Sequence, residues 1–119
     1  MTRINDKDRD IIENEIYLPM LIIILERDKK VIEQSPFKLK NPYLELVENT
    51  ISSVNKDLKA TRNYLRNNNI KVYKRKSDEM FTQYSFSYKG HQENHNYFNP
   101  RLKNRCEELL QYYFNKALL

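Results

Sequence analysis

Between Leu44 and Leu65, apolar or small residues recur three and four apart, at Leu44, Val47, Ile51, Val54, Leu58, Thr61 and Leu65. Only an α-helix gathers that spacing onto one face, since a strand would scatter it to both sides. The pattern predicts a helix from Pro42 to about Arg66, with Asn41 as its N-cap and Pro42 at its first position. A helix with one apolar seam draws its stability from what covers that seam.

A partner lies upstream. From an N-cap at Asn5 or Asp6 to about Glu33, Ile11, Leu18, Ile22, Leu25 and Ile32 share a face that Ile12, Ile16, Met20 and Ile23 widen. Acidic residues at its start suit the helix dipole. This should be the most buried element, with helix 2 antiparallel upon it. The seam could instead support self-association, three heptads being the shortest run on which such a reading rests. Pro19, inside the helix, lacks the amide hydrogen of an interior position and predicts a kink or break. The apolar run Ile16 to Leu25 has ten residues, where a membrane span needs about twenty. Acidic residues precede it and no small-residue cleavage site follows, so it does not read as a signal peptide either.

After the triplet Asn67, Asn68 and Asn69, whose side chains tolerate the left-handed conformation that ends helices, Ile70 to Lys76 and Met80 to Lys89 alternate. They read as a β-hairpin turning at Ser77-Asp78-Glu79 and ended by Gly90. Tyr84, Phe86 and Tyr88 fall on one face of its second strand and should be core; Ser85 and Ser87 fall on the other. His91 to Asn96 reads as a polar loop. A last helix from Pro100 to about Ala117 presents Leu102, Cys106, Leu109, Leu110, Tyr113 and Phe114. The expectation is an α+β fold of order α-α-β-β-α, a single domain over residues 1–119. That length suits one domain, and 39% hydrophobic with 31% charged residues is a globular balance.

Catalytic and cofactor chemistry finds little support. The chain has one glycine, which excludes Gly-rich phosphate-cradling loops. One cysteine, Cys106, forms no internal disulfide and no cysteine-based metal site, and its usage fits a reducing compartment. His91 and His95 would share a face only if helical, and the zinc-protease pattern needs Glu directly after the first His, where this chain has Gln92. No serine or cysteine nucleophile sits in a recognisable motif. The chain is expected to be a non-enzymatic, cytoplasmic protein without metal or cofactor. Nothing implies a membrane or small-molecule ligand.

Charge is the stronger lead. Residues 1–34 carry six basic and eight acidic side chains, whereas residues 56–76 carry eight basic ones against Asp57 alone. Lys59, Arg62 and Arg66 line one flank of the helix 2 seam, and Lys71, Lys74, Arg75 and Lys76 continue the charge into the hairpin, with Tyr73 among them to stack or hydrogen-bond. This segment either tracks a phosphate backbone or is a solubilising face whose long stems cover the edge of the seam. Two roles stay open: a regulator contacting nucleic acid through Lys59, Arg62, Arg66, Lys71, Tyr73, Lys74 and Arg75, or an interaction module that dimerises or docks on a protein partner. The second would use the seam or the apolar end Ala117, Leu118 and Leu119.

Two resemblances bear on this. Val54, Leu58 and Leu65, the asparagines, Ile70, Val72 and the strand ending Tyr84-Ser85-Phe86-Ser87-Tyr88-Lys89-Gly90 resemble the recognition helix and wing of winged-helix DNA-binding domains over residues 50–90. The likeness requires a turn around Asn49 to Ser53, where the unbroken heptad spacing argues for one continuous helix. The segments IYLPM (Ile16 to Met20), SPFKLK (Ser35 to Lys40) and NYFNPR (Asn96 to Arg101) resemble the YhjD-like proteins of Bacillus-type bacteria. That resemblance implies a cytoplasmic bacterial protein of similar length and architecture, and no activity.

Overall fold

Asn5 opens the first helix, its side-chain oxygen accepting the Asp8 amide at 2.8 Å. In the computed structural model, which describes residues 4–117, α1 then runs from Asp6 to Glu33 without a break at Pro19. Pro19 removes one backbone donor, and burial of Ile16, Tyr17, Leu18 and Leu21 on both sides of it holds the helix together. The second helix, α2, spans Lys40–Asn67. Its N-cap is Leu39 rather than Asn41, which places Pro42 in the first turn, where its missing amide has no intrahelical acceptor to lose.

The two helices are antiparallel. Tyr64 donates to Asp8, Arg62 pairs with Glu15, and Lys29 pairs with Glu48, a ladder running in opposite directions along the two helices. The expected α2 seam is buried at Val47, Ile51, Val54, Leu58, Thr61 and Leu65, with Leu44 half-buried. The seam is therefore consumed inside the chain. On α1 the buried stripe is Ile12, Ile16, Leu18, Leu21 and Leu25, and Ile23, expected to widen the buried face, is 69% exposed.

Helix α2 closes as the asparagine triplet predicts. Asn69 takes a φ of 53°, the Ile70 amide donates to Leu65 and the Asn69 amide to Arg66, the paired bonds of a Schellman motif. Leu65 and Ile70 bury together beside it.

Three strands follow where a hairpin was expected: β1 (Lys71–Ser77), β2 (Phe81–Tyr88) and β3 (His91–Phe98), antiparallel in the order β1-β2-β3. Residues His91 to Asn96, read as a loop, are thus a strand. Tyr88 pairs with His91 across a two-residue turn in which Lys89 and Gly90 have φ of 49° and 80°. Two positive φ values match the right-handed strand twist, so Gly90 reverses the chain rather than ending the sheet. At the other turn the Asp78 carboxylate accepts the Met80 and Phe81 amides at 2.8 and 2.7 Å, which holds its carboxyl below the usual range.

The third helix, α3 (Asn99–Ala117), buries Leu102, Cys106 and Tyr113. Asn99 does not cap it with its side chain. It accepts from the Thr82 hydroxyl and donates to the Asp78 carbonyl, tying α3 to the sheet. Tyr113 donates to Asp57 of α2 at 2.6 Å. One core joins residues of all three helices with the inner sheet face. At its end Asp8 accepts the hydroxyls of Tyr88 at 2.5 Å and Tyr64 at 2.7 Å. These bonds, Tyr88's first, hold the Asp8 carboxyl below its usual range against the opposing effect of burial, and push both phenols up.

Candidate functional site

Strand alternation divides the sheet into unlike faces. Thr82, Tyr84, Phe86 and Tyr88 of β2 point inward and are buried. Opposite them in register stand Tyr97, His95, Glu93 and His91. On the outer face β1 contributes Lys71 and Tyr73, β2 contributes Phe81, Gln83, Ser85 and Ser87, and β3 contributes Gln92, Asn94, Asn96 and Phe98. The outward residues of both edge strands are exposed.

A bulge adds to this face. Lys74 pairs with Tyr84 and Lys76 with Gln83, so Arg75 is the extra residue on β1. A bulge of this kind turns two successive side chains to one side. Arg75 Nε donates to the outward Ser85 hydroxyl at 2.9 Å, and that hydroxyl donates to Asn94 at 2.6 Å. The Arg75 guanidinium also lies 5.5 Å from the Tyr73 ring centre. The result is a surface with Lys71, Arg75 and Lys76, the exposed rings of Tyr73, Phe81 and Phe98, and hydroxyl or amide groups between them. No carboxylate stands among these outward strand residues.

Of the residues the sequence singled out, Lys71, Tyr73 and Arg75 meet on this face. Lys74, in register with inward-facing Tyr84, belongs to the other side of the sheet. Lys59, Arg62 and Arg66 are exposed on α2, where Arg62 is turned toward Glu15 of α1 at 3.1 Å and Arg66 toward Asn63. Asn49 to Ser53 is helical, so the turn that a helix-turn-helix needs is absent and α2 stays packed on α1. Phe81 and Phe98, missed as surface features, pair at 5.5 Å between ring centres. The signal for them was their position at the outward ends of two adjacent strands, visible only once β3 is recognised as a strand.

A second concavity lies along the free edge of β3, between the first half of α1 and the start of α3. Its volume is about 760 Å³, and its walls include Arg9, Glu13 and Tyr17 of α1, Tyr97 and Phe98 of β3, and Arg101 and Arg105 of α3. Arg105 pairs with Glu108 at 3.0 Å; among the described residues Arg9 and Arg101 form no ion pair. Burial, with Asp10 nearby, raises the Glu13 carboxyl above its usual range, against the opposing fields of Arg9, Arg105 and Arg101. Burial likewise pushes the Tyr97 phenol well up. His95 stacks on Phe86 with ring centres 4.6 Å apart and contacts Glu93 at 3.2 Å. In a strand, four residues span about 13 Å, which separates His91 from His95 too far for one metal ion. Among the described residues no three metal-ligating side chains cluster.

The comparisons with known proteins agree on one family. The family model described as YhjD protein matches residues 3–118. The chain is also 42% identical to the protein named "Uncharacterized protein YhjD" of Bacillus subtilis (strain 168), over 113 residues that cover 95% of this chain and 94% of that one. The chain belongs to the YhjD family. No solved structure matches it, so the chemistry of this YhjD-family chain is read from its own surface. Besides the sheet face and the cleft, that surface has an apolar groove of about 600 Å³ between α1 and α3, lined by Met20, Ile23, Ile24, Leu102, Cys106 and Leu110. Cys106 is buried there, and burial raises its thiol above the usual range. Among the described residues no helix is long and apolar enough to cross a membrane. Ala117 ends α3 exposed, and Leu118 and Leu119 lie outside the described residues.

Proposed function

We propose that this chain is a non-enzymatic binding protein that holds single-stranded nucleic acid on the outer face of its sheet. The observation that carries the reading is an uncovered sheet face with exposed Tyr73, Phe81 and Phe98, the cations Lys71, Arg75 and Lys76, and no outward carboxylate on its strands. Rings accept bases by stacking and cations accept the phosphates between them, without requiring a base sequence. Duplex readout would need an element free to enter a groove, and the basic helix α2 is packed along α1. The amides of Gln92, Asn94 and Asn96 can hydrogen-bond the edges of unpaired bases.

The test is fluorescence anisotropy with labelled single-stranded DNA, single-stranded RNA and duplex DNA over a range of salt. Single strands should bind more tightly than duplex. With three phosphate contacts the log-log salt slope should be about −2, at roughly 0.7 per contact for single strands. Replacing Lys71, Arg75 and Lys76 together with glutamate should abolish saturable binding while the melting temperature moves little. Unchanged affinity in that variant would overturn the reading. A second reading, an interaction module, has in its favour the exposed Ile23 and Ile24 beside the apolar groove. A partner held there would be insensitive to salt.

A further inference from the structure

The cleft along β3 adjoins the basic sheet face at Phe81 and Phe98, and its arginines have a different use. We propose that it is a binding site for a small phosphomonoester carrying a flat ring. Arg9 and Arg101, ninety-two positions apart in sequence, line one concavity of about 760 Å³. Ligand sites commonly measure about 300–1,000 Å³. Neither guanidinium is neutralised by an ion pair among the described residues, although Glu13 feels both their fields and that of Arg105.

Two planar guanidiniums offer forked N–H donors whose geometry suits phosphate oxygens, and the roughly −1.5 to −2 charge of a phosphomonoester near pH 7 matches two free cations better than a single carboxylate does. The volume exceeds what a phosphate fills, and the rest of the lining pairs an aromatic stretch, Tyr17, Tyr97 and Phe98, with polar groups that include Glu13, Asn104 and Glu108. A ring attached to the phosphate would lie against that aromatic stretch. Phe81 and Phe98 border both this cleft and the outer sheet face. The same phosphate chemistry could therefore arrive as a free mononucleotide or as the phosphorylated end of a nucleic-acid strand.

Calorimetric titration with adenosine monophosphate, inorganic phosphate and adenosine separates the parts. Adenosine monophosphate should bind saturably and raise the melting temperature, phosphate should bind more weakly, and adenosine should not bind. The double variant Arg9→Gln/Arg101→Gln should lose about tenfold or more in affinity, the scale of one charge-assisted bond. Both side chains are exposed, so the variant should keep its far-ultraviolet circular dichroism. In the parent protein, phosphate should also protect Arg9 and Arg101 from phenylglyoxal, read by peptide mass mapping. No binding of phosphate or the mononucleotide at about 10 mM, equal binding of adenosine, or undiminished binding by the double variant would overturn the proposal. Tighter binding of a 5′-phosphorylated oligonucleotide than of its 5′-hydroxyl form, lost in the double variant, would identify the strand end as the source; equal binding would leave the free mononucleotide. The Lys71, Arg75 and Lys76 glutamate variant should still bind the mononucleotide, so failure of the sheet-face reading leaves this one standing.

Discussion

The two faces of the sheet use aromatic residues at the same alternating positions and treat them in opposite ways. Tyr84, Phe86 and Tyr88 on the inner face are 6%, 3% and 1% exposed, while Tyr73, Phe81 and Phe98 on the outer face are 43%, 41% and 39% exposed. The inner rings have an account in folding: they form the floor of the core, and Tyr88 is fastened to Asp8. The outer rings leave about two-fifths of their surface in water, so folding gives a weaker reason for three of them beside three cations than it gives for the inner three. The comparison breaks most visibly at Phe86. Phe86→Ala should destabilise the fold by about 3–5 kcal/mol, read by urea denaturation, and leave the affinity of the folded fraction for single strands unchanged at low temperature. A small loss of stability would mean that the inner face is not the structural one.

The Asp8 cluster sharpens the inner side further. Asp8→Ala leaves the Tyr64 and Tyr88 hydroxyls without their shared acceptor, at a cost of about 2 kcal/mol for a charge-assisted pair at a mostly buried carboxylate. Because the folded carboxyl titrates below its ordinary value, its contribution is complete above about pH 4 and disappears as the pH falls through the lower folded value. The parent protein should therefore lose stability between neutral pH and about pH 3 more steeply than the alanine variant does. Parallel pH profiles for the two proteins would remove Asp8 from the acid response.

Much of the fold was legible because periodicity is local. The α2 seam, the α1 cap at Asn5, the asparagine ending of α2 and the inward aromatics of β2 all rest on residues close in sequence. Strand β3 was not, since HQENHNYF contains no β-branched residue and only Tyr97 among its inward positions is a large hydrophobe; its strand conformation depends on pairing with β2. The Lys89-Gly90 turn was the available signal, a glycine at the second position of a two-residue reversal. The candidate basic surface was legible in part. Charge density located the segment, but a count along the chain could not reveal that the bulge turns Arg75 and Lys76 outward or that register turns Lys74 inward. Arg9 and Arg101 carried no sequence signal, because only the packing of α3 beside α1 brings them to one cleft.

The smallest expected effect is the most discriminating for the outer face. Tyr73→Ala removes an exposed ring from an edge strand and its 5.5 Å contact with the Arg75 guanidinium. Surface changes of this sort usually shift stability by about 0.5 kcal/mol or less. Base stacking on one aromatic ring is worth about 1–3 kcal/mol, so single-strand affinity should fall by at least about fivefold in anisotropy titrations. Tyr73→Phe keeps the ring and discards the hydroxyl. If the ring acts as a stacking platform, phenylalanine restores the affinity that alanine loses, and the salt slope of both variants matches the parent because no phosphate contact has changed. Loss of affinity in the phenylalanine variant would assign Tyr73 a hydrogen-bonding role instead. Full affinity in the alanine variant would remove the ring from the site and leave Lys71, Arg75 and Lys76 as a purely electrostatic surface, indifferent to whether the bases are paired.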